Sequence, residues 1–355
     1  MSYEWHTEFA LRFRERQDLK DVVKGRNRFA PVRDLYARLQ LLAQSVADSD
    51  WNTAAKSLSE REERPPRRGK VEIPYTYQRL TLRYHDRPDH TRYTEYSRRQ
   101  MREYATLGFM TPRLTEADLA LLPRFSFFLH IPFTLAAPYL SKDDEPFYVH
   151  ENPVRKEHVL RVPMMGSTSW KGAFRAALRY RLQAEDKDPR IVRLLGNPKG
   201  AEEGFRRGRL SFFPTFFDAL EVEVINPHSR ETGAGSQPIH LEAVPAGAQG
   251  IFALLYVPAV APPTEPGSDR TPALDDTLVT LKTIYTLLVE LGFGAKTASG
   301  MGRAALTIPE IDGSRGYLLL PIGKGGAPYH LPIQSLRELL GVSQYIEERR
   351  GGGND

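Results

Sequence analysis

The sequence predicts an α+β fold, and three observations lead to it. From Phe125 onward, apolar β-rich stretches alternate with amphipathic helical patterns. A helix-start signature, Gly166-Ser167-Thr168-Ser169, follows an extended stretch from His158 to Val162. A second helical pattern, Asp276 to Leu291, runs into a glycine-rich loop and then a further strand pattern.

Taken in order, residues 1 to 122 are rich in charge and aromatics, with helical stretches near Arg12 to Asp21 and Pro31 to Asp48. They read as a long, largely helical N-terminal extension. The polar run Ser59 to Arg68 suits an exposed linker. The segment Arg79 to Arg102 interleaves Tyr84, His85, Tyr93, Tyr96, Arg98 and Arg99. That mixture suits base stacking beside phosphate neutralisation, and equally a solvated helix with half-buried tyrosines. Next come a strand over Phe125 to Ala136, a helix over about 168 to 184, and strands over Arg209 to Phe217 and Gln249 to Val257. Leu281, Ile284, Tyr285 and Leu288 share one face of the second helix, and Arg303 to Ile308 reads as the closing strand. The order β-α-β-β-α-β is the split ferredoxin-like arrangement, with its helices on one face of an antiparallel sheet and the other face free. The division expected is 1–122, an extension; 123–310, the βαββαβ core with inserted loops; and 311–355, a C-terminal extension. The Pro-rich segment Val257 to Pro272 is expected as a surface loop, and the tail from Arg349 to Asp355 as disordered.

Composition narrows the partner. A formal charge of +5 over 355 residues mildly favours an acidic ligand. With no cysteine there is no disulfide framework, thiol nucleophile or Cys-based zinc site. The nine histidines, among them His85, His90, His130, His150 and His158, show no paired metal-ligand spacing, so they read as packing or surface residues. No metal and no cofactor is expected. No apolar run reaches membrane-spanning length and the N-terminus lacks a signal-peptide core, so a cytoplasmic protein without a membrane partner is expected.

Two glycine-punctuated basic elements carry the chemistry. The loop Gly292 to Gly302, followed by Arg303, lets backbone N–H groups approach an anion, with Gly294 and Gly300 within it and donors on Lys296, Thr297, Ser299 and Arg303. It leaves a helix rather than entering one, so it is no Walker loop, and a glycine-rich C-cap with a tight turn is an equal reading. On the first helix, Ser167, Thr168 or Ser169 would cap an N-terminus whose N–H groups suit an anion. Lys171, Arg175 and Arg179 stand four apart, opposite Phe174, Ala177, Leu178 and Leu182. Together the two elements point to a polyanion.

The stretch Gly166 to Arg175 resembles the Gly-Ser-Ser-Leu-Lys-Gly-Ala-Leu-Arg signature of CRISPR-associated RAMP proteins, the Cas7-type backbone subunits of type III effectors. Leu194-Leu195-Gly196 stands where that family has a Phe-Gly pair, Gly208 to Phe213 resembles the strand that follows, and Gly292 to Gly302 resembles its C-terminal glycine-rich loop. Ile225-Asn226-Pro227-His228 and Gln237 to Gly247 are similar to segments of sixth Cmr subunits. The resemblance covers roughly residues 125 to 310. It implies an RRM-like RAMP core and a structural subunit near the 3′ end of the crRNA in a Cmr-like antiviral complex. The partners implied are crRNA, target RNA, and Cas7-type, Cas10-type and small subunits. The RNA-binding residues implied are Gly166, Ser167, Thr168, Ser169, Lys171, Arg175, Gly292, Gly294, Lys296, Thr297, Ser299, Gly300, Gly302 and Arg303. Trp170 stands where the signature has an aliphatic residue and suggests extra packing or a stacking surface. Two alternatives stay open: a catalytic backbone subunit cleaving target RNA with a metal held by Asp143 or Asp144, and a pre-crRNA processing endoribonuclease. Lys171 and Gly172 count against the latter, which normally lacks the Lys-Gly-x-x-Arg helix.

Overall fold

A computed structural model describes residues 16–24, 26–33, 35–43, 92–105, 111–143, 152–197, 206–225, 239–258, 270–320 and 328–351. The linker run 59–68, Asp144, Asn226 to His228, Gln237-Pro238, most of the Pro-rich loop and the end of the tail lie outside them. The chain forms two compact units: 1–103, 140–163 and 218–244 in one, and 104–139, 164–217 and 245–355 in the other.

The first unit carries helices α1 (Arg16–Lys24), α2 (Leu35–Ala43) and most of α3 (Arg92–Ala105). Strands β5 (Glu221–Ile225) and β6 (Ile239–Ala243) pair antiparallel with Glu221 opposite Ala243. α1 buries Leu19 and Val22, and α2 buries Leu41, Leu42 and Ala43. On β6 the buried Glu242 accepts from the Lys156 ammonium at 2.6 Å and from the Val154 N–H at 3.0 Å. A buried charge needs such partners, because desolvation alone would cost several kcal/mol, on the order of the Coulomb gain.

The second unit is built on a five-stranded antiparallel sheet of order β3-β7-β1-β8-β9. These strands are β1 (Phe127–Thr134), β3 (Leu210–Phe212), β7 (Gln249–Tyr256), β8 (Gly316–Leu320) and β9 (Tyr329–Ile333). β1 lies at the centre, with Phe127 opposite Tyr256 and Thr134 opposite Gln249. The segment Arg209 to Phe217, expected as one strand, is two. Pro214, which has no N–H to give a ladder, separates β3 from β4 (Thr215–Phe216), and β4 pairs with β2 (Met164–Met165). Helix α5 (Ser167–Leu182) enters directly from β2, while residues 158–160 form a turn rather than an extended stretch. After the short α6 (Pro189–Leu195), helix α7 (Arg270–Tyr285) continues as a π-helical turn, Thr286–Leu291. Helix α8 (Glu338–Gly351) closes the chain.

Strand alternation sorts the core. Phe133 meets Trp170, Phe217 and Phe293 edge-on, at centroid distances of 6.5, 6.1 and 5.7 Å, and Phe127 stacks on Tyr256 at 4.9 Å. The Tyr256 hydroxyl reaches the buried Asp276 of α7 at 2.8 Å, and Arg193 and Arg209 pair with the same carboxylate at 2.7 and 3.0 Å. The opposite face is not free. Phe128, Ala253 and Leu319 pack under Leu119 of helix α4 (Glu116–Ala120), whose start is fixed by a capping box between Thr115 and Asp118. The apolar residues that alternate onto that face require such a cover. The closing strand expected at Arg303 to Ile308 is also corrected. That segment makes only isolated bridges, Leu135 to Ala304 and Thr307 to Ser335, and the strand beside β1 is β8.

Candidate nucleic-acid interface

Helix α5 starts at Gly166, whose φ of −70° and ψ of 156° are those of an N-cap, with no side-chain hydrogen bond. The hydroxyls of Ser167, Thr168 and Ser169 therefore lie inside the first turn, and none of them caps it. The first free N–H groups of the helix keep their positive field, the feature that suits an anion. Thr168 and Ser169 are exposed and Ser167 half-buried.

Lys171 follows at once. Burial, and then the neighbouring Arg175, lower its pKa. Among the described residues Lys171 has no ion-pair partner, so an anion there would supply a missing counter-charge. The other two cations of the row are engaged: Arg175 faces Asp186 at 3.6 Å, and Arg179 pairs with Glu185 at 3.0 Å and lies 3.8 Å from Asp186. Of the three, Lys171 is the one whose charge the fold leaves uncompensated.

The glycine-rich loop is a closed clamp with an open lip. At its base the Phe293 N–H donates to the Gly302 carbonyl at 2.9 Å and the Gly302 N–H donates to the Pro138 carbonyl at 2.8 Å. A Cβ on Gly302, where φ is 68°, would lie 1.9 Å from the Phe293 carbonyl oxygen, and one on Gly292, at φ 81°, 2.4 Å from that of Met301. These two glycines permit the close backbone approach. The lip is exposed at Gly294, Ala295, Lys296, Ala298 and Ser299, with Thr297 half-buried in a single 3-10 turn, Thr297–Ser299, that ends at Gly300. Lys296 adopts a left-handed conformation at φ 58°, uncommon for a residue with a side chain. Arg303 folds back, its Nε donating to the Gly300 carbonyl at 3.1 Å, which leaves its other guanidinium donors to solvent.

Two rings join these elements. Trp170, fully buried, gives its indole N–H to Thr215 Oγ1 at 3.0 Å and lies 4.6 Å from Phe293, centroid to centroid. Trp170 precedes Lys171 and Phe293 lies between Gly292 at the base and Gly294 at the lip, so this contact sets the helix start beside the base of the loop. The departure at Trp170 is thus packing and no stacking surface. Asp143, in the other unit, accepts the Lys156 N–H at 3.2 Å, and among the described residues no group of three or more metal-ligating side chains occurs.

A profile of the RAMP superfamily matches residues 129–305, half of the chain. The chain belongs to the RAMP superfamily. No protein of curated function matches it. The solved structures that resemble it include two of the type III-B Cmr-beta assembly. A chain of the cryo-EM structure bound to cognate target RNA is 14% identical over 83% of this chain and 98% of its own, with a TM-score of 0.41. A chain of the apo-state structure is 10% identical over 52% of this chain and 98% of its own, with a TM-score of 0.38.

In this RAMP chain both halves of the candidate interface fall inside the matched segment. The sequence reading missed the part played by Phe293, which lies within the glycine-rich loop it had already singled out. An aromatic flanked by two glycines was the available signal, since such a ring anchors a loop that is otherwise short of side chains. The reading also passed over Gly172 as a site residue. It is exposed on α5, and a Cβ placed there would meet nothing within 4 Å.

Proposed function

We propose that this RAMP protein is a crRNA-binding structural subunit of a type III, Cmr-like interference complex in antiviral defence, placed near the 3′ end of the guide. The observation that supports the reading is the Trp170–Phe293 contact, which joins the first turn of α5, with the uncompensated Lys171, to the base of the glycine-rich loop. Backbone N–H groups, hydroxyls and cations on these two elements match a phosphate backbone and carry no base-reading pattern, so in this reading the RNA is positioned without sequence preference. Guide pairing would then supply target specificity, as in other RNA-guided effectors. The strand order β3-β7-β1-β8, with α5 following β1 and α7 following β7, supports reading the core as a split, ferredoxin-like βαββαβ unit. Its partners in this reading are crRNA, target RNA, and Cas7-type, Cas10-type and small subunits. The role is structural. Asp143 acts as a loop tie to Lys156, in keeping with a carboxylate that does no chemistry.

The test compares Lys171→Glu with Arg67→Glu, an equal charge change in the polar run read from the sequence as a linker, by filter binding of single-stranded RNA. The first should weaken binding by about 1–3 kcal/mol, the scale of a charge-assisted phosphate contact, and the second much less. Equal losses would mean that net charge alone acts, and the site assignment would fall.

A further inference from the structure

The face of the sheet turned away from α5 and α7 carries a column of three aromatic rings that the phosphate reading does not use. His130 on β1 stacks on Tyr317 of β8 at 5.0 Å and 17°, and Tyr317 stacks on His330 of β9 at 4.9 Å and 21°. Burial falls along the column: His130 is wholly buried, Tyr317 half-buried and His330 exposed. Its inner end is fixed, because His130 Nε2 hydrogen-bonds Ser314 Oγ at 2.6 Å. Its middle is fixed too, because the Tyr317 hydroxyl donates to the Leu114 carbonyl at 3.1 Å. The outer ring is covered by Tyr317 on one side and is exposed.

Pro332 lies opposite Tyr317 in the β8–β9 register, two residues from His330 and so on the same face, and it is exposed. Arg113 immediately precedes Leu114, is exposed, and has no ion-pair partner among the described residues. Its charge reaches the column, opposing protonation of His130. A rigid ring stack ending in an open aromatic face with a flat proline beside it is the chemistry that receives a nucleobase, while the charge of Arg113 acts at the buried end, on His130. Cross-strand packing accounts for the inner pair, since burial rewards it, whereas the third ring, diagonal to Tyr317 across β8 and β9, is exposed and gains no such reward.

Building on the RNA-binding reading, we propose that His330, at the open end of this column, stacks a base of single-stranded RNA at a second contact. The probes are an oligouridylate and an abasic oligomer of the same length, measured by fluorescence anisotropy on the full chain. His330→Ala should weaken the oligouridylate roughly five-fold or more, the lower end of a stacked-base contact, and leave the abasic strand unaffected. His330→Phe should restore binding. Circular dichroism should match the parent for both, as His330 is exposed on an edge strand. No loss with His330→Ala, or an equal loss on both strands, would overturn the proposal. Lys171→Glu separates it from the phosphate reading: if that change weakens both strands while His330→Ala weakens neither, the phosphate site stands and the column is packing. Failure of the parent chain to bind either strand would overturn both readings.

Discussion

His130 shows at the residue scale how position decides a side chain's role. From the sequence it was one of nine histidines without ligand spacing; in the fold it is wholly buried. Burial first, and the charge of Arg113 second, push its pKa from 6.5 down to about 4. The folded protein therefore holds His130 neutral while the unfolded chain takes up a proton as pH falls below about 6.5. Stability is full above that value, is lost progressively toward pH 4, and loses nothing further from this residue below. A shift of this size corresponds to at most about 3 kcal/mol. Thermal melts between pH 7.5 and pH 4.5 should show the loss, and His130→Gln should flatten it. A parental melting temperature unchanged over that range would contradict the account. Lys171 is the contrasting case, since its pKa is lowered at a half-buried surface position where an anionic ligand can offset the effect.

At the scale of elements, glycines divide into those the fold needs and one it does not. Gly302→Ala places a methyl group 1.9 Å from the Phe293 carbonyl oxygen at φ 68°, so the base of the loop must open. Backbone strain alone should cost about 1–3 kcal/mol in urea melts, and RNA binding should fall with it. Gly172 lies inside α5, where glycine costs about 1 kcal/mol relative to alanine and no neighbour within 4 Å forbids a Cβ. Gly172→Ala should raise stability, yet lower RNA affinity several-fold if the strand passes close over the helix beside Lys171. Unchanged affinity would remove Gly172 from the interface. Helix α5 was legible because it follows from local pattern, expected at about 168 to 184 and running Ser167–Leu182, whereas β5, β6, β8, β9 and α8 were not read from the sequence. The N-cap was misplaced by one residue because Gly166 takes the extended conformation and leaves three hydroxyls inside the turn. The closing strand was misplaced because Arg303 to Ile308 has the right composition, while its backbone hydrogen bonds are scattered: the Ala304, Ala305 and Ile308 N–H groups donate to the Leu288, Thr134 and Gln334 carbonyls, and the Arg303 and Leu306 carbonyls accept from Ala136 and Leu336. Composition does not reveal pairing partners.

For the whole molecule, membership of the RAMP superfamily rests on the match over residues 129–305, and the motifs that announced it lie within that span. What the sequence could not show was the side-chain pairing that decides which cations remain available. Arg175 and Arg179 belong to the same helical row as Lys171, and only the fold reveals that Asp186 and Glu185 occupy them. Nor could it show that segment Leu114 to Leu122 covers the face of the sheet expected to be free, because that contact is tertiary. In the assembled complex, Asp143→Asn combined with Asp144→Asn should leave cleavage of a complementary RNA unchanged. The exchange removes metal-binding charge and keeps an amide oxygen for the Lys156 N–H. Loss of a product band with assembly intact would instead make this subunit a nuclease.

The central claim, that the α5 start and the glycine-loop lip form one phosphate site, is tested most directly by the salt dependence of single-stranded RNA binding. Each phosphate neutralised on a single strand contributes about −0.7 to the slope of log affinity against log salt. Lys171→Gln with Lys296→Gln, on a chain whose circular dichroism matches the parent, should make the slope shallower by roughly 1.4, twice that contribution. An unchanged slope, with affinity retained across the salt series, would show that RNA does not meet these two residues and would contradict the account.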